Sequence, residues 1–414
     1  MSPWLLVALW SLQAPAGTSR TLHVSPGGPL PTLTAALEAA AAGDTIVVRS
    51  GVYQEPEIVV RKRVTILGEG APVLRGGDHQ ILRIVADSVT LRGLVFRDVS
   101  PSAVDDRAAI RVEGARGCRI EDNTVVNSYF GIYLAKAAGC AILGNRITGP
   151  ATTESLTGNA IHSWSSEDLV IEGNVLRGHR DGLYFEFTTD TKVRDNVSTA
   201  NLRYGIHFMF SHGCSYTGNR FIANRAGSAV MYSRGVVMEG NRFLESRGAS
   251  IYGLLGKDLV DSRITGNLFA SNTGGLYLEG VIRVEVRGNE FMSNGWGAVV
   301  MADAEGTRFE RNRFQENSFD VSTNGANATT RFAENYWDRY PGYDLDGDGY
   351  GDVPFAPVRL FAFIVQQHDP ALILQRSFFV SLLDAAERVA PILTPRMMED
   401  ARPSMAWPAP GIGQ

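Results

Sequence analysis

The chain has 414 residues, with 39 Lys+Arg against 44 Asp+Glu; the formal net charge of −5 argues against a nucleic-acid surface. Its 44 glycines fit a succession of tight corners. Apart from the extreme N-terminus, no uncharged stretch approaches the length of a membrane span.

Residues 3–12 form a short apolar run around Trp4, Leu5, Leu6, Val7 and Leu9, followed by Ala14-Pro15-Ala16 in the manner of an A-x-A cleavage site. A signal peptide over 1–16, and hence an exported protein, is expected. Residues 17–70 read as a cap: a strand from Leu22, a helix over Thr34–Ala42 stopped by Gly43, then strands at Thr45–Arg49 and Val64–Leu67. Such a helix would cover the open end of a stacked sheet, which otherwise exposes unpaired backbone groups.

From 71 to 340 one unit repeats. Asparagine recurs at positions 123, 145, 174, 196, 219, 241, 267, 289, 312 and 335, at intervals of 22, 29, 22, 23, 22, 26, 22, 23 and 23 residues. A period near 22 predicts an all-β fold, a parallel β-solenoid. Because strand residues alternate between faces, the position three before each Asn must point inward: Ile120, Ile142, Ile171, Val193, Tyr216, Met238, Ile264, Val286, Phe309. So must the position two after it, which from Phe221 through Phe243, Phe269, Phe291 and Phe314 to Trp337 predicts an aromatic stack. The Asn side chains belong at corners, laddering with neighbouring rungs, and are structural. Cys118, Cys140 and Cys214 each stand five before a repeat Asn, in one column with Leu169, Val236 and Val284, and are expected as small core residues.

Residues 341–354 carry an acidic D-x-D-x-D-G loop. Asp344, Asp346, Asp348, the Tyr350 carbonyl and Asp352 are candidate structural calcium ligands, although Phe355 stands where a calcium loop has its bidentate acid. Residues 355–414 form a C-terminal segment with a helical pattern over Ala371–Ala390. Its face of Phe379, Leu382, Leu383, Ala386 and Val389 is a candidate docking surface for a membrane-bound partner.

One outward column is expected to read Tyr133, His162, Tyr184, His207, Met231, Tyr252 and Tyr277, with Trp164, Glu186, Met209 and Glu279 at the next outward position. A solvated solenoid face should be charged or small and polar. This composition predicts a partner-binding face instead.

The strings 178–187 (GHRDGLYFEF), 201–212 (NLRYGIHFMFSH), 229–233 (AVMYS), 251–255 (IYGLL), 335–340 (NYWDRY) and the acidic loop resemble the NosD family, periplasmic maturation proteins of nitrous oxide reductase. The likeness runs in order through most of the chain. It implies a right-handed parallel β-helix with CASH-type repeats and no carbohydrate chemistry. It also implies a periplasmic location beside the inner membrane, with an ABC transporter permease and ATPase, a copper-binding lipoprotein chaperone and nitrous oxide reductase as partners. It does not identify copper ligands.

The column map supplies candidates for those. Cu(I) prefers thioether and imidazole ligands, and the map makes His207 and Met231 column neighbours with Met209 beside them; His162 and His212 could complete the set. The rival class is a β-helix lyase, epimerase or glycan binder, for which Asp181 and Glu186 with His179 and Arg180 form the only dense cluster. No aspartate pair recurs on adjacent rungs. A passive adhesin would leave the Met/His face and tail helix unexplained.

Overall fold

The computed structural model describes residues 19–248, 251–325, 329–374, 377–389 and 397–408; the expected signal peptide lies outside them. Three parallel sheets, here A, B and C, wind as a β-solenoid and contain 14, 13 and 12 strands among the described residues. A typical turn gives Arg119–Glu121 to sheet A, Thr124–Ser128 to sheet B and Phe130–Ala135 to sheet C. Helix α1 (Leu33–Ala39) precedes the repeating turns, capped by the Thr32 hydroxyl and burying Leu33, Ala36 and Leu37.

The expected inward columns form. Val193 pairs with Tyr216, Tyr216 with Met238 and Met238 with Ile264 down sheet A. In sheet B the rings of Phe221, Phe243, Phe269, Phe291, Phe314 and Trp337 stack at centroid distances of 5.2, 4.9, 4.9, 4.7 and 4.3 Å. Their rotamers repeat because each ring's neighbour is another ring at the rung spacing, which satisfies packing and stacking together.

The asparagines form a continuous ladder. The Asn219 side-chain amide donates to Asn241 Oδ1 at 3.0 Å and to the Val193 carbonyl at 3.0 Å, while the Asn219 backbone N–H donates to the same Asn241 oxygen at 3.0 Å. Each buried corner amide is thus satisfied by the adjoining rungs. A glycine column shares sheet C: a Cβ on Gly227 would lie 2.4 Å from the Gly253 carbonyl oxygen, and one on Gly205 would lie 2.6 Å from that of Gly227. Close approach of rungs, rather than an unusual φ, selects glycine there.

Asp400 ends the ladder in place of a further Asn. Its Oδ2 accepts from the Asn335 backbone N–H (3.1 Å), the Asn335 amide (2.9 Å) and Trp337 Nε1 (3.1 Å). Residues 397–408 therefore close the last rung of sheets A and B, through bridges from Phe332 to Asp400 and from Tyr336 to Ser404.

The tail differs from the single helix expected over 371–390. It contains α2 (Leu360–Gln367), a 3-10 turn (Asp369–Leu374) and α3 (Phe378–Val389), and Ala390 lies outside the described residues. Helix α2 covers the end of sheet C, where Phe361, Ala362 and Val365 are buried with Phe319. Glu387 in α3 accepts the Leu360 N–H at 2.9 Å, tying α3 to the N-terminus of α2. The chain thus covers its own sheet edges at this end.

Cys118, Cys140 and Cys214 are buried and free, and the Cys118 N–H donates to Cys140 Sγ at 3.3 Å. This is the structural role expected of them.

Candidate functional site

Sheet C register corrects the expected outward column. Tyr133, His162, Tyr184 and His207 do pair in sequence, but His207 pairs with Ala229, whereas Met231 pairs with Met209. The second column reads Ala135, Trp164, Glu186, Met209, Met231, Lys257 and Glu279. Tyr252 pairs with Gly274, while Tyr277 pairs with Leu255. The rings of Tyr252 and Tyr277 nevertheless meet at 4.7 Å across columns. A slip of two residues keeps Met231 on the outward side and changes only its neighbour.

Most of the imidazole column is closed over. Rings run Tyr133–His162–Tyr184–His207 at 4.3, 4.9 and 5.0 Å, and Tyr204 leans on His207 at 4.7 Å. The His207 side chain is 5% exposed, Asp181 fully buried. Tyr184 occupies the rung between His162 and His207, so the two imidazoles stand two rungs, roughly 9.6 Å, apart along the axis and do not converge on one ion. His212 sits on the following corner, where its Nδ1 accepts the Arg234 N–H at 3.2 Å. The copper set His207, Met209, Met231, His162 and His212 thus contracts to the first three.

Several buried polar atoms here have no hydrogen-bond partner: both ring nitrogens of His207, Nε2 of His162 and His179, and Oδ2 of Asp181. Asp181 Oδ2 lies 4.0 Å from His207 Nδ1, too far for a hydrogen bond. Burial, reinforced by the charges of Arg203 and Arg180, pushes His207 down to about 3. Burial with Arg180 and Arg111 does the same to His162, also about 3. Burial likewise raises the Asp181 carboxyl above its ordinary value, against the pull of Arg203 and Arg180. The imidazoles are therefore neutral at neutral pH, the form that binds a soft metal. Met209 and Met231 are half-buried and in register, so they are the accessible part of the set.

In the acidic loop, carboxylate oxygens of Asp344, Asp346 and Asp348 lie within 4.8 Å of one another. Asp344 accepts from the N–H groups of Gly347 and Gly349, and Asp352 from that of Leu345. Arg402 bonds Asp348 at 2.6 Å, holding that carboxyl below its ordinary value, and lies 3.8 Å over the Tyr350 ring. The loop is thereby sewn to the closing segment 397–408.

On α3, Phe379 and Leu382 are exposed at 49% and 54%, while Leu383 packs against the Phe361 cluster. The expected docking face is thus split between free and occupied residues; Ala386 is half-buried.

The sequence reading missed Phe187, Phe210 and Tyr232, which follow the sheet C strand ends Glu186, Met209 and Met231. They have φ of 51°, 49° and 51° and are 51%, 39% and 42% exposed. Left-handed backbone costs an ordinary L-residue roughly 1–2 kcal/mol, and ring stacking returns about 0.5–1.5 kcal/mol per pair. Their place one step past each outward strand end was the available signal.

Fold and face together define a parallel β-solenoid with thioether, imidazole and aromatic groups gathered on one sheet and its margin. No described helix is long and apolar enough to cross a membrane.

The family described as periplasmic copper-binding protein (NosD) matches residues 143–344, and a family described as protein of unknown function (DUF1565) matches 16–219. A Pseudomonas aeruginosa protein named probable ABC transporter binding protein NosD is 29% identical over 392 residues, 82% of this chain and 83% of its own length. One of the same name from Stutzerimonas stutzeri is 26% identical, over 87% and 86%. Residues 143–344 thus resemble the NosD family, and most of the chain resembles two proteins that carry that name.

Solved structures share the fold. The catalytic unit of a GH87 α-1,3-glucanase from Streptomyces thermodiastaticus has a TM-score of 0.61 at 16% identity, covering 78% of this chain and 70% of that one. A mannuronic acid specific polysaccharide family 6 lyase from human gut microbiota has 0.56 at 14%, covering 77% and 86%.

Proposed function

We propose that this protein serves assembly of the copper centres of nitrous oxide reductase by handling Cu(I) on the outward face of sheet C. The observation that carries the reading is the in-register thioether pair Met209 and Met231 beside His207, whose two ring nitrogens have no protein partner. Thioethers bind Cu(I) without losing a proton, which suits a cargo that must leave again. The half-buried methionines form the entry, and His207 lies behind them under Tyr204, so full ligation requires its ring to turn outward.

In this reading the partners are an ABC transporter permease and ATPase at the inner membrane, a copper-binding lipoprotein chaperone and nitrous oxide reductase. The names of the two relatives support the transporter. The exposed residues of α3 supply the membrane-side contact. In the acidic loop, a calcium ion would share Asp348 with Arg402, which confines it to closing the loop.

A polysaccharide-processing reading is disfavoured by the burial of Asp181 and His179, because a glycan could not reach them. Anaerobic competition with a Cu(I) chelator tests the copper reading. One tight equivalent is expected, weakened at least tenfold by Met209→Ala and by Met231→Ala; unchanged binding in both variants refutes it.

A further inference from the structure

Phe187, Phe210 and Tyr232 stack along the solenoid axis at 5.4 and 4.9 Å, with interplanar angles of 10° and 13°. The fold, not these residues, imposes the positive φ. The same corner holds Gly114, Lys136, Ser165, Asp258 and Gly280 on other rungs, all with positive φ. Gly114, Asp258 and Gly280 suit this backbone and Lys136 and Ser165 do not, but large aromatic residues stand only on three successive rungs, where their rings remain substantially exposed.

Two properties describe what would cover them. Rings stacked along the axis turn their edges outward, and the electropositive edge of an aromatic ring is where thioether sulfur packs favourably. The surrounding charge is acidic: segments 164–168, 186–190, 209–213, 231–235 and 257–261 carry six Asp or Glu against two cations, Arg234 and Lys257. Arg116 and Arg283 answer Glu167 and Asp261, and Glu279 answers Lys257. That leaves Asp168, Glu186, Asp190 and Asp258 facing Arg234. Charge complementarity therefore calls for a basic partner.

We propose that the Phe187–Phe210–Tyr232 ladder is the docking site for a basic, methionine-bearing segment of a partner protein, which hands Cu(I) to Met209 and Met231 one residue away. The transfer is ligand exchange: one thioether–copper bond breaks as another forms, and no electron or proton moves. The direction of transfer rests on the copper reading above; the contact itself does not.

The probe is a synthetic Lys-flanked, Met-rich peptide, alone and loaded with Cu(I), followed by fluorescence anisotropy against the full-length protein. An Asp-flanked version of equal length is the control. Saturable binding of the copper-free Lys-flanked peptide is expected, at least tenfold weaker in the triple variant Phe187→Asn, Phe210→Asn, Tyr232→Asn. Asparagine tolerates left-handed backbone better, so the variant should melt at or above the wild-type temperature, separating lost docking from lost folding. The Asp-flanked peptide should bind the wild type at least tenfold more weakly. The proposal is overturned if the Lys-flanked peptide does not bind, if the triple variant binds it as wild type does, or if the two peptides bind alike. Because this assay needs no copper, failure of the Met209 and Met231 metal site in chelator competition leaves its result standing, and the reverse also holds.

Discussion

Replacing His179 by asparagine should make the protein more resistant to acid. His179 is fully buried and stands in a second corner column; its N–H donates to Asn201 Oδ1 at 3.0 Å, as the Asn201 N–H donates to Asn224 Oδ1 at 3.0 Å. Its Nδ1 lies 3.3 Å from the Gly158 carbonyl and its Nε2 has no partner. Burial lowers it from 6.5 to about 4, partly opposed by that carbonyl. The unfolded chain therefore takes up a proton below pH 6.5 that the folded chain refuses until about pH 4. Stability is fully present above pH 6.5 and is lost as pH falls through that window. At about 1.4 kcal/mol per pH unit, the loss reaches about 2 kcal/mol at pH 5. Asp320, raised to about 6 by burial, acts oppositely because the folded state holds its proton more tightly. The wild-type curve alone therefore does not isolate His179, and a difference of differences does. Urea midpoints at pH 7.5 and 5.0, followed through aromatic circular dichroism, should show the pH-dependent loss reduced by about 2 kcal/mol in His179→Asn. Parallel losses in both proteins refute the argument.

Asp400→Ala should cost about 2–4 kcal/mol, because three donors lose their acceptor in a buried site; Asp400→Asn, which keeps an acceptor oxygen, should cost much less. Melting temperature and proteolysis of the last rung measure both, and equal effects would contradict this ladder-ending role. Phe379→Asp with Leu382→Asp, both exposed, should at least tenfold reduce co-purification with the transporter permease while leaving the solenoid's circular dichroism intact. Undiminished co-purification would restrict α3 to its contact with α2.

The solenoid and its interior were legible because a parallel stack repeats one environment at every rung. An inward position demands an apolar side chain each time, and a corner demands an amide that bonds above and below. Ten asparagines and six stacked aromatics therefore state register in sheets A and B directly. The C-terminal closure was not legible, since Asp400 does the work of an Asn only once, 65 residues beyond Asn335. No periodicity announces a single substitution at that distance. Helix α2 was hidden similarly: Leu360, Phe361, Ala362, Phe363 and Ile364 show no polar face because the segment packs on the last rung of sheet C.

The site was harder to read for a reason rooted in strand geometry. Side-chain direction has a period of two, so placing Met231 beside His207 instead of beside Met209 leaves both on the correct face and disturbs no hydrophobic pattern. Only the local interval resolves such a slip: the corner asparagines here are 23 and 22 residues apart, and 22 residues after His207 is Ala229, not Met231. The consequence is chemical. With Ala229 beside His207, and Met231 in register with Met209, the candidate metal-binding pair is two thioethers at the rim, and the imidazole is a buried neighbour. A surface of that kind is suited to receiving a soft cation at the edge of sheet C, and the αL corner immediately beyond it carries the aromatic ladder. The two methionines and the aromatic ladder are thus one residue apart on two rungs, an arrangement that only the pairing of sheet C reveals.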